Sequence, residues 1–266
     1  MTEEKVARLA ALRAAKKTLP QAGIDTTQPI EAAFDTRPAI TLQTLVLVVV
    51  AIIGGALTAA VVFPRWFPAL SASLLGPSPK AFWYLSRSSA LIAYILVWLS
   101  MVFGLLMTNK LARLWPSGPT AFMLHQHTSL LGLGFALFHA LILLGDRYIG
   151  YSIAQLVVPF ASTSYQPVWV GLGQLAFYGL ALVGLSFYAK SWIGRPMWRA
   201  IHFLSFALFG LALVHGVTSG SDSRELWVRA LYWLTGSTVC WLTIYRAAVT
   251  YLSRLPKHQS AAQSRR

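Results

Sequence analysis

Six long stretches of this sequence are apolar almost without interruption: Ile40–Phe63, Phe82–Met107, Leu124–Leu144, Val168–Ala189, Trp198–Val217 and Trp227–Leu252. A helix needs about 20 residues to cross roughly 30 Å of hydrocarbon, so each stretch is long enough to span a bilayer. Inside lipid the backbone amides must be satisfied within the segment, which selects the helix. The composition agrees, with 56% hydrophobic and 11% charged residues where soluble domains carry about 25% charged. Trp66, Trp83, Tyr84, Trp169, Tyr188, Trp192, Trp198, Trp227 and Tyr251 fall near the ends of the stretches, where amphipathic rings anchor spans at the interface. The expected fold is an all-α membrane protein, a six-transmembrane-helix bundle over residues 39–253, with tails at 1–38 and 254–266.

The formal net charge of +14 invites a nucleic-acid partner, but the charges are not arranged as a patch. Most of the 22 lysines and arginines lie in alternate connections and in the tails, while the acids are confined to the first tail and to Asp146, Asp222 and Glu225. This pattern places both termini in the cytoplasm by the positive-inside rule and points to a lipid bilayer, with no nucleic acid. The third and fifth spans then run parallel, from inside to outside. Residues 1–38 form either a short amphipathic surface helix, with Val6, Leu9, Leu12 and Leu19 at helical spacing, or a partly ordered tail. The outer connection Gly145–Pro167 contains an apolar run, Tyr148–Phe160, too short to span, which suits a helix lying flat over the bundle. Asp146 and Arg147 are expected to pair with each other at the surface. The single cysteine, Cys240, excludes a cysteine zinc site or iron–sulfur cluster within the chain.

Five of the six histidines lie in two spans: His125, His127 and His139 in the third, His202 and His215 in the fifth. Ionisable groups at membrane depth are costly and mark functional positions. His125 and His139 are separated by about 21 Å of helix rise and lie within about 40° of one face, whereas His202 and His215 are separated by about 19.5 Å. In parallel helices His125 therefore meets the depth of His202, and His139 that of His215. Facing imidazoles at two depths suit two stacked b-type haems with paired axial ligands. Gly132 and Gly134 on one helix, with Ser205 and Gly210 on the other, are expected to leave room for the macrocycle.

The spacing on the fifth span is imperfect, since an ideal helix turns His202 and His215 about 140° apart. A bend near Gly210, helix tilt or side-chain reach would have to correct it. His127 is read as a hydrogen-bonding neighbour or a polar helix end, and His258 as a solvated tail residue. Arg195 and Arg199 are candidates for the propionates of an inner haem. Arg87 is the candidate for an outer one, because no partner for it is evident at that depth. A bare metal site is disfavoured, as no carboxylate or thiol accompanies a histidine.

At these residues the sequence resembles the ferric reductase-like transmembrane domain family, which includes the membrane part of NADPH oxidases and the haem subunit of methionine sulfoxide reductase systems. The matching segments are Leu124-His125, Leu131-Gly132-Leu133, Phe138-His139, Ala154–Phe160, Trp169-Val170-Gly171-Leu172-Gly173, Trp198-Arg199-Ala200-Ile201-His202 and Val214-His215-Gly216. The resemblance covers roughly Tyr84 to Val217, about half the chain. The resemblance implies that His125, His139, His202 and His215 are the axial ligands of haem b.

It also implies transmembrane electron transfer to an acceptor outside, such as ferric ion or its chelates, oxygen or a partner enzyme. No glycine-rich dinucleotide fingerprint follows a strand here, so the electron donor is expected to be separate: a flavoprotein, a ferredoxin-like protein or a quinol. Two other readings compete. One is a haem-bearing membrane subunit serving an extracytoplasmic reductase, as in methionine sulfoxide reduction. The other is a non-redox helical membrane protein.

Overall fold

Long apolar runs with few helix breakers have one stable backbone form in lipid, and all six expected spans adopt it. The structure, a computed structural model, describes residues 38, 40–75, 80–163 and 165–254. The amphipathic segment expected within residues 1–38 and the solvated tail residue His258 lie outside these. Among the described residues there is no strand.

The elements follow in chain order. Helix α1 covers Leu42–Trp66 and starts at Thr41, whose hydroxyl caps the amide of Thr44 at 3.2 Å. It passes through a π turn at Thr58–Val62. A short helix α2, Pro68–Leu75, follows. Then come α3 at Ala81–Thr108 and α4 at Gly118–Gly145, whose last turn tightens to a 3-10 helix. A short α5 covers Ile153–Val157. Helices α6 at Pro167–Ser186, α7 at Lys190–Ser219 and α8 at Leu226–Arg254 complete the described residues.

Helices α1, α3, α4, α6 and α7 are long and apolar enough to cross a membrane, the make-up of a multi-pass membrane protein. The sixth expected span folds as α8, but that helix is not among the five. Its sequence carries Arg229 and Arg246 within a run rich in Thr, Trp and Tyr.

Two features of the third and fifth expected spans differ from the apolar pattern. Helix α4 begins at Gly118, one residue before Pro119, which suits a first turn whose amides need no helical partner. Helix α7 is interrupted at Gly194 (φ 78°, ψ 158°). Glycine alone adopts that conformation without strain, and Pro196 then opens the continuous part of the helix.

The helices pair as two hairpins. Helices α3 and α4 pack most closely, α6 and α7 next, while α1 lies on α4 and α8 lies mainly on α3. Small residues permit the α3–α4 approach. A Cβ on Gly132 would stand 3.0 Å from Val97 and 3.3 Å from Leu96, and one on Gly134 would stand 3.2 Å from Ile52 of α1. These two glycines therefore close helix–helix contacts, where the sequence had suggested space for a cofactor. Gly210 does face open space, with nothing within 4 Å of a Cβ. Apolar burial is concentrated in two clusters. Tyr94, Met101, Leu105, Phe209, Val239 and Leu242 join α3, α7 and α8, and Ala60, Phe82 and Ile142 join α1, α3 and α4. By contrast α4 and α7 make almost no close backbone approach to each other.

The end of the bundle with the connection between α4 and α6 is called the outer end, after the orientation the basic residues predict. That connection is not a flat helix over Tyr148–Phe160. Gly150 takes a left-handed conformation (φ 65°), Pro159 supplies no amide, and only Ile153–Val157 is helical. Asp146 is buried and accepts the amides of Tyr148 and Ile149, both at 2.9 Å. It thus builds a turn, in place of the surface pair expected with Arg147.

Candidate functional site

The two hairpins bring four imidazoles together as two facing pairs. The rings of His125 on α4 and His202 on α7 have centroids 5.9 Å apart at an interplanar angle of 67°. Those of His139 and His215 are 6.5 Å apart at 66°. Both expected pairs form, and separations this short leave no side chain between the rings. The 140° offset on α7 is overcome without any distortion at Gly210, for the helix departs from helical geometry only at Gly194. The backbones of α4 and α7 stand apart while the rings meet, so imidazole reach spans the space between them.

The second nitrogen of three rings is fixed by backbone. His125 Nδ1 lies 2.8 Å from the carbonyl of Ser100, His139 Nδ1 2.8 Å from that of Ser86, and His215 Nδ1 2.9 Å from that of Trp169. A carbonyl can only accept, so each Nδ1 carries the proton and each Nε2 keeps its lone pair. Ligating histidines are held in this way, with the non-ligating nitrogen donating to a carbonyl or carboxylate. His202 is flanked by Trp198, with ring centroids 5.2 Å apart at 30°, and Lys190 Nζ stands 4.7 Å over that indole.

Side chains of α3 repeat the arrangement. Ser86 Oγ lies 2.8 Å from His139 Nδ1 and donates to the carbonyl of His139 at 3.1 Å. Ser100 Oγ lies 3.1 Å from His125 Nδ1 and 2.5 Å from Ser129 Oγ, which in turn donates to the carbonyl of His125 at 2.6 Å. Gly173 and Gly104 give the rings room. A Cβ on Gly173 would stand 2.5 Å from His215 Nδ1, and one on Gly104 3.4 Å from His125 Cε1. None of Ser86, Ser100, Ser129, Gly104 and Gly173 emerged from the sequence as a site residue. The equal spacing of Ser86–Ser100 and His125–His139 was the available signal.

The remaining candidates fall differently. His127 is exposed and bonds the carbonyl of Met123 in its own helix at 2.8 Å, away from both pairs. Arg199 lies one turn before His202 and lines an open groove with Arg195, Pro196, Ala200 and Phe203. Arg87 does have a partner. Its Nε donates to Asp222 Oδ2 at 2.8 Å, its guanidinium forms an ion pair with the same carboxylate, and it lies over the Tyr84 ring. The reason for assigning it to a propionate, the lack of a partner at depth, therefore does not hold. Nearby, Tyr165 donates to the carbonyl of Ser219 at 2.7 Å. Burial pushes that phenol above the ordinary tyrosine range, so it remains a donor at neutral pH.

Among the described residues no three or more His, Cys, Asp or Glu side chains converge to hold a metal ion. Each pair offers two imidazoles at short separation, a donor number that suits an ion whose other positions are filled by a planar macrocycle. Two imidazoles on one metal at about 2.0–2.1 Å each, with ring centres about 1.2 Å behind their nitrogens, would stand roughly 6.4 Å apart. The outer pair, at 6.5 Å, matches that separation, and the inner pair, at 5.9 Å, stands about 0.5 Å inside it.

No curated protein and no solved structure matches the chain. A match to a family model covers residues 81–222, a stretch that includes α3 to α7, all four paired histidines, and Arg87 with Asp222. The family is described as Domain of unknown function (DUF8596), and the chain belongs to it.

Proposed function

We propose that this is a ferric reductase-like, haem-carrying membrane protein that conducts electrons across the bilayer. His125 and His202 would hold one b-type haem near the cytoplasmic side, and His139 and His215 a second near the outside. When bound, such a group supplies one-electron oxidation and reduction. In this reading α8 is the sixth span and both termini are cytoplasmic. The observation that carries the reading is the pair of imidazole separations, together with the Nδ1 bonds that leave the Nε2 lone pair of three rings free of a proton.

The chain's own contribution is to hold and to orient. Backbone carbonyls of Ser86, Ser100 and Trp169 lock three tautomers, and Gly173 and Gly104 let the rings lie against neighbouring helices. A group held by a histidine from each side would offer an acceptor no further ligand position, so the acceptor would be reduced from outside the histidine pairs. The donor is a separate flavoprotein, ferredoxin-like protein or quinol. An acceptor outside is a ferric chelate, oxygen or an extracytoplasmic reductase.

An absorption spectrum of the purified protein, oxidised and then dithionite-reduced, tests this directly. Soret and α bands with two haems per chain are expected, and His125→Ala or His139→Ala should each remove about half of the haem. A protein purified without these bands, or full retention in both variants, would overturn the assignment.

A further inference from the structure

We infer that the connection from Tyr148 to Phe160 is a re-entrant segment whose apolar side chains sit among the acyl chains of the outer leaflet. The inference rests on α6 crossing the bilayer and is independent of the histidine pairs.

The depth of the segment is fixed by its bonds to α6. Gln174 Nε2 donates to the carbonyls of Gln155 at 2.9 Å and Leu156 at 2.7 Å, and Tyr178 donates to the carbonyl of Val157. Tyr178 lies about 16.5 Å along the helix axis from Pro167. Even with the phenol stretched fully back, a reach of roughly 9 Å including the hydrogen bond, the Val157 carbonyl stays about 7 Å inward of Pro167. Helix α6 has 20 residues, about 30 Å, which is the hydrocarbon thickness with nothing to spare. Its first residue must then lie at the hydrocarbon boundary, and the C-terminal end of α5 lies inside it.

The chemistry of the segment suits that depth. A helix end leaves carbonyls without intrahelical partners, and within hydrocarbon no water can satisfy them. Here α6 supplies side-chain donors to three successive carbonyls. At the other end Ser152 and Gln155 form a reciprocal capping box. Not one charged residue occurs from Tyr148 to Ala189. Tyr148, Ile153, Val157 and Val158 are between 53% and 95% exposed, and Phe160, 48% exposed, lays its ring against Gly171 of α6. They continue the exposed apolar stripe of Leu175, Tyr178 and Leu182 on α6. A contiguous apolar patch of this kind marks a membrane or protein contact, and carbonyl caps provided from a spanning helix favour the membrane.

The test uses the full chain with Cys240→Ala and one introduced cysteine, Val157→Cys, carrying a nitroxide label in phosphatidylcholine–phosphatidylglycerol vesicles. Leu182→Cys serves as the lipid reference and Glu225→Cys as the water reference. Collision rates with oxygen and with a water-soluble nickel chelate should place Val157 with Leu182, with nickel access several-fold below that of Glu225. Nickel access equal to that of Glu225 would overturn the inference. So would shielding from both reagents, which would mean a protein–protein contact. Adding Gln174→Leu and Tyr178→Phe should raise nickel access at Val157; unchanged access would refute the role given to the carbonyl caps.

Discussion

Gly173 lies against the ring of His215 so closely that a Cβ on the glycine would stand 2.5 Å from Nδ1 and 2.7 Å from Cε1. The contact is with a ring whose Nδ1 is also bonded to the backbone of Trp169, so the imidazole has little freedom to retreat. Gly173→Val is therefore expected to displace His215 and lower haem content from two toward one per chain. Gly210→Ala, where a Cβ meets nothing within 4 Å, should retain both. Pyridine haemochrome assay against protein concentration measures the ratio.

Ser86 and Ser100 reach the same histidine nitrogens through both backbone and side chain. Alanine at either position removes the hydroxyl and leaves the carbonyl, so haem is expected to stay bound. A net hydrogen bond is worth about 0.5–1.5 kcal/mol, which corresponds to roughly 20–60 mV for one electron. Loss of an acceptor at Nδ1 makes the imidazole a poorer donor to ferric iron, so one of two midpoint potentials should rise. Ser86→Ala should move one and Ser100→Ala the other in a redox titration. Movement of neither would deny the serines a tuning role.

The Arg87–Asp222 pair ties α3 to the connection between α7 and α8, with side chains 30% and 22% exposed. Partial burial puts its worth above that of open surface pairs, at about 1–2 kcal/mol. Arg87→Met or Asp222→Asn alone leaves one charge unmatched and should lower the midpoint of thermal unfolding in detergent. Replacing both together should cost less than the two single changes added. Strict additivity in that cycle would refute coupling between the two.

His127 provides the contrasting case, since it is exposed and bonds the carbonyl of Met123 in its own helix. His127→Ala is expected to leave the haem-to-protein ratio and both potentials unchanged. Loss of either haem would reopen its exclusion from the site.

Much of this architecture was legible in the residue order. Long apolar runs announce spanning helices because hydrocarbon admits few alternatives, and four histidines at matched heights announce where two helices face each other. What failed to read out depends on neighbours that spacing cannot name. A glycine offers a close approach but does not say to what, and Gly132 and Gly134 turned toward α3 and α1. Arg87 looked solitary because Asp222 lies 135 residues further on. The offset of His202 and His215 looked like a flaw because a helical wheel ignores side-chain reach across helices that stand apart. The outer connection looked helical from its apolar content, whereas Gly150 and Pro159 confine the helix to five residues. The marginal status of α8 has the same root, for a helix packed on protein along part of its length tolerates polar groups that an isolated span does not.

In α3 and α4 the residue numbers of each bonded pair, Ser86 with His139 and Ser100 with His125, fall and rise in step. The vertical distance between the two imidazole levels is thus gauged by both strands of one antiparallel ruler. A single inserted residue between Ser86 and Ser100 would turn one serine through about 100° and slide it by about 1.5 Å, breaking one level and sparing the other. Any change in the gap between levels would require compensating insertions in both helices at once, and on α7 as well.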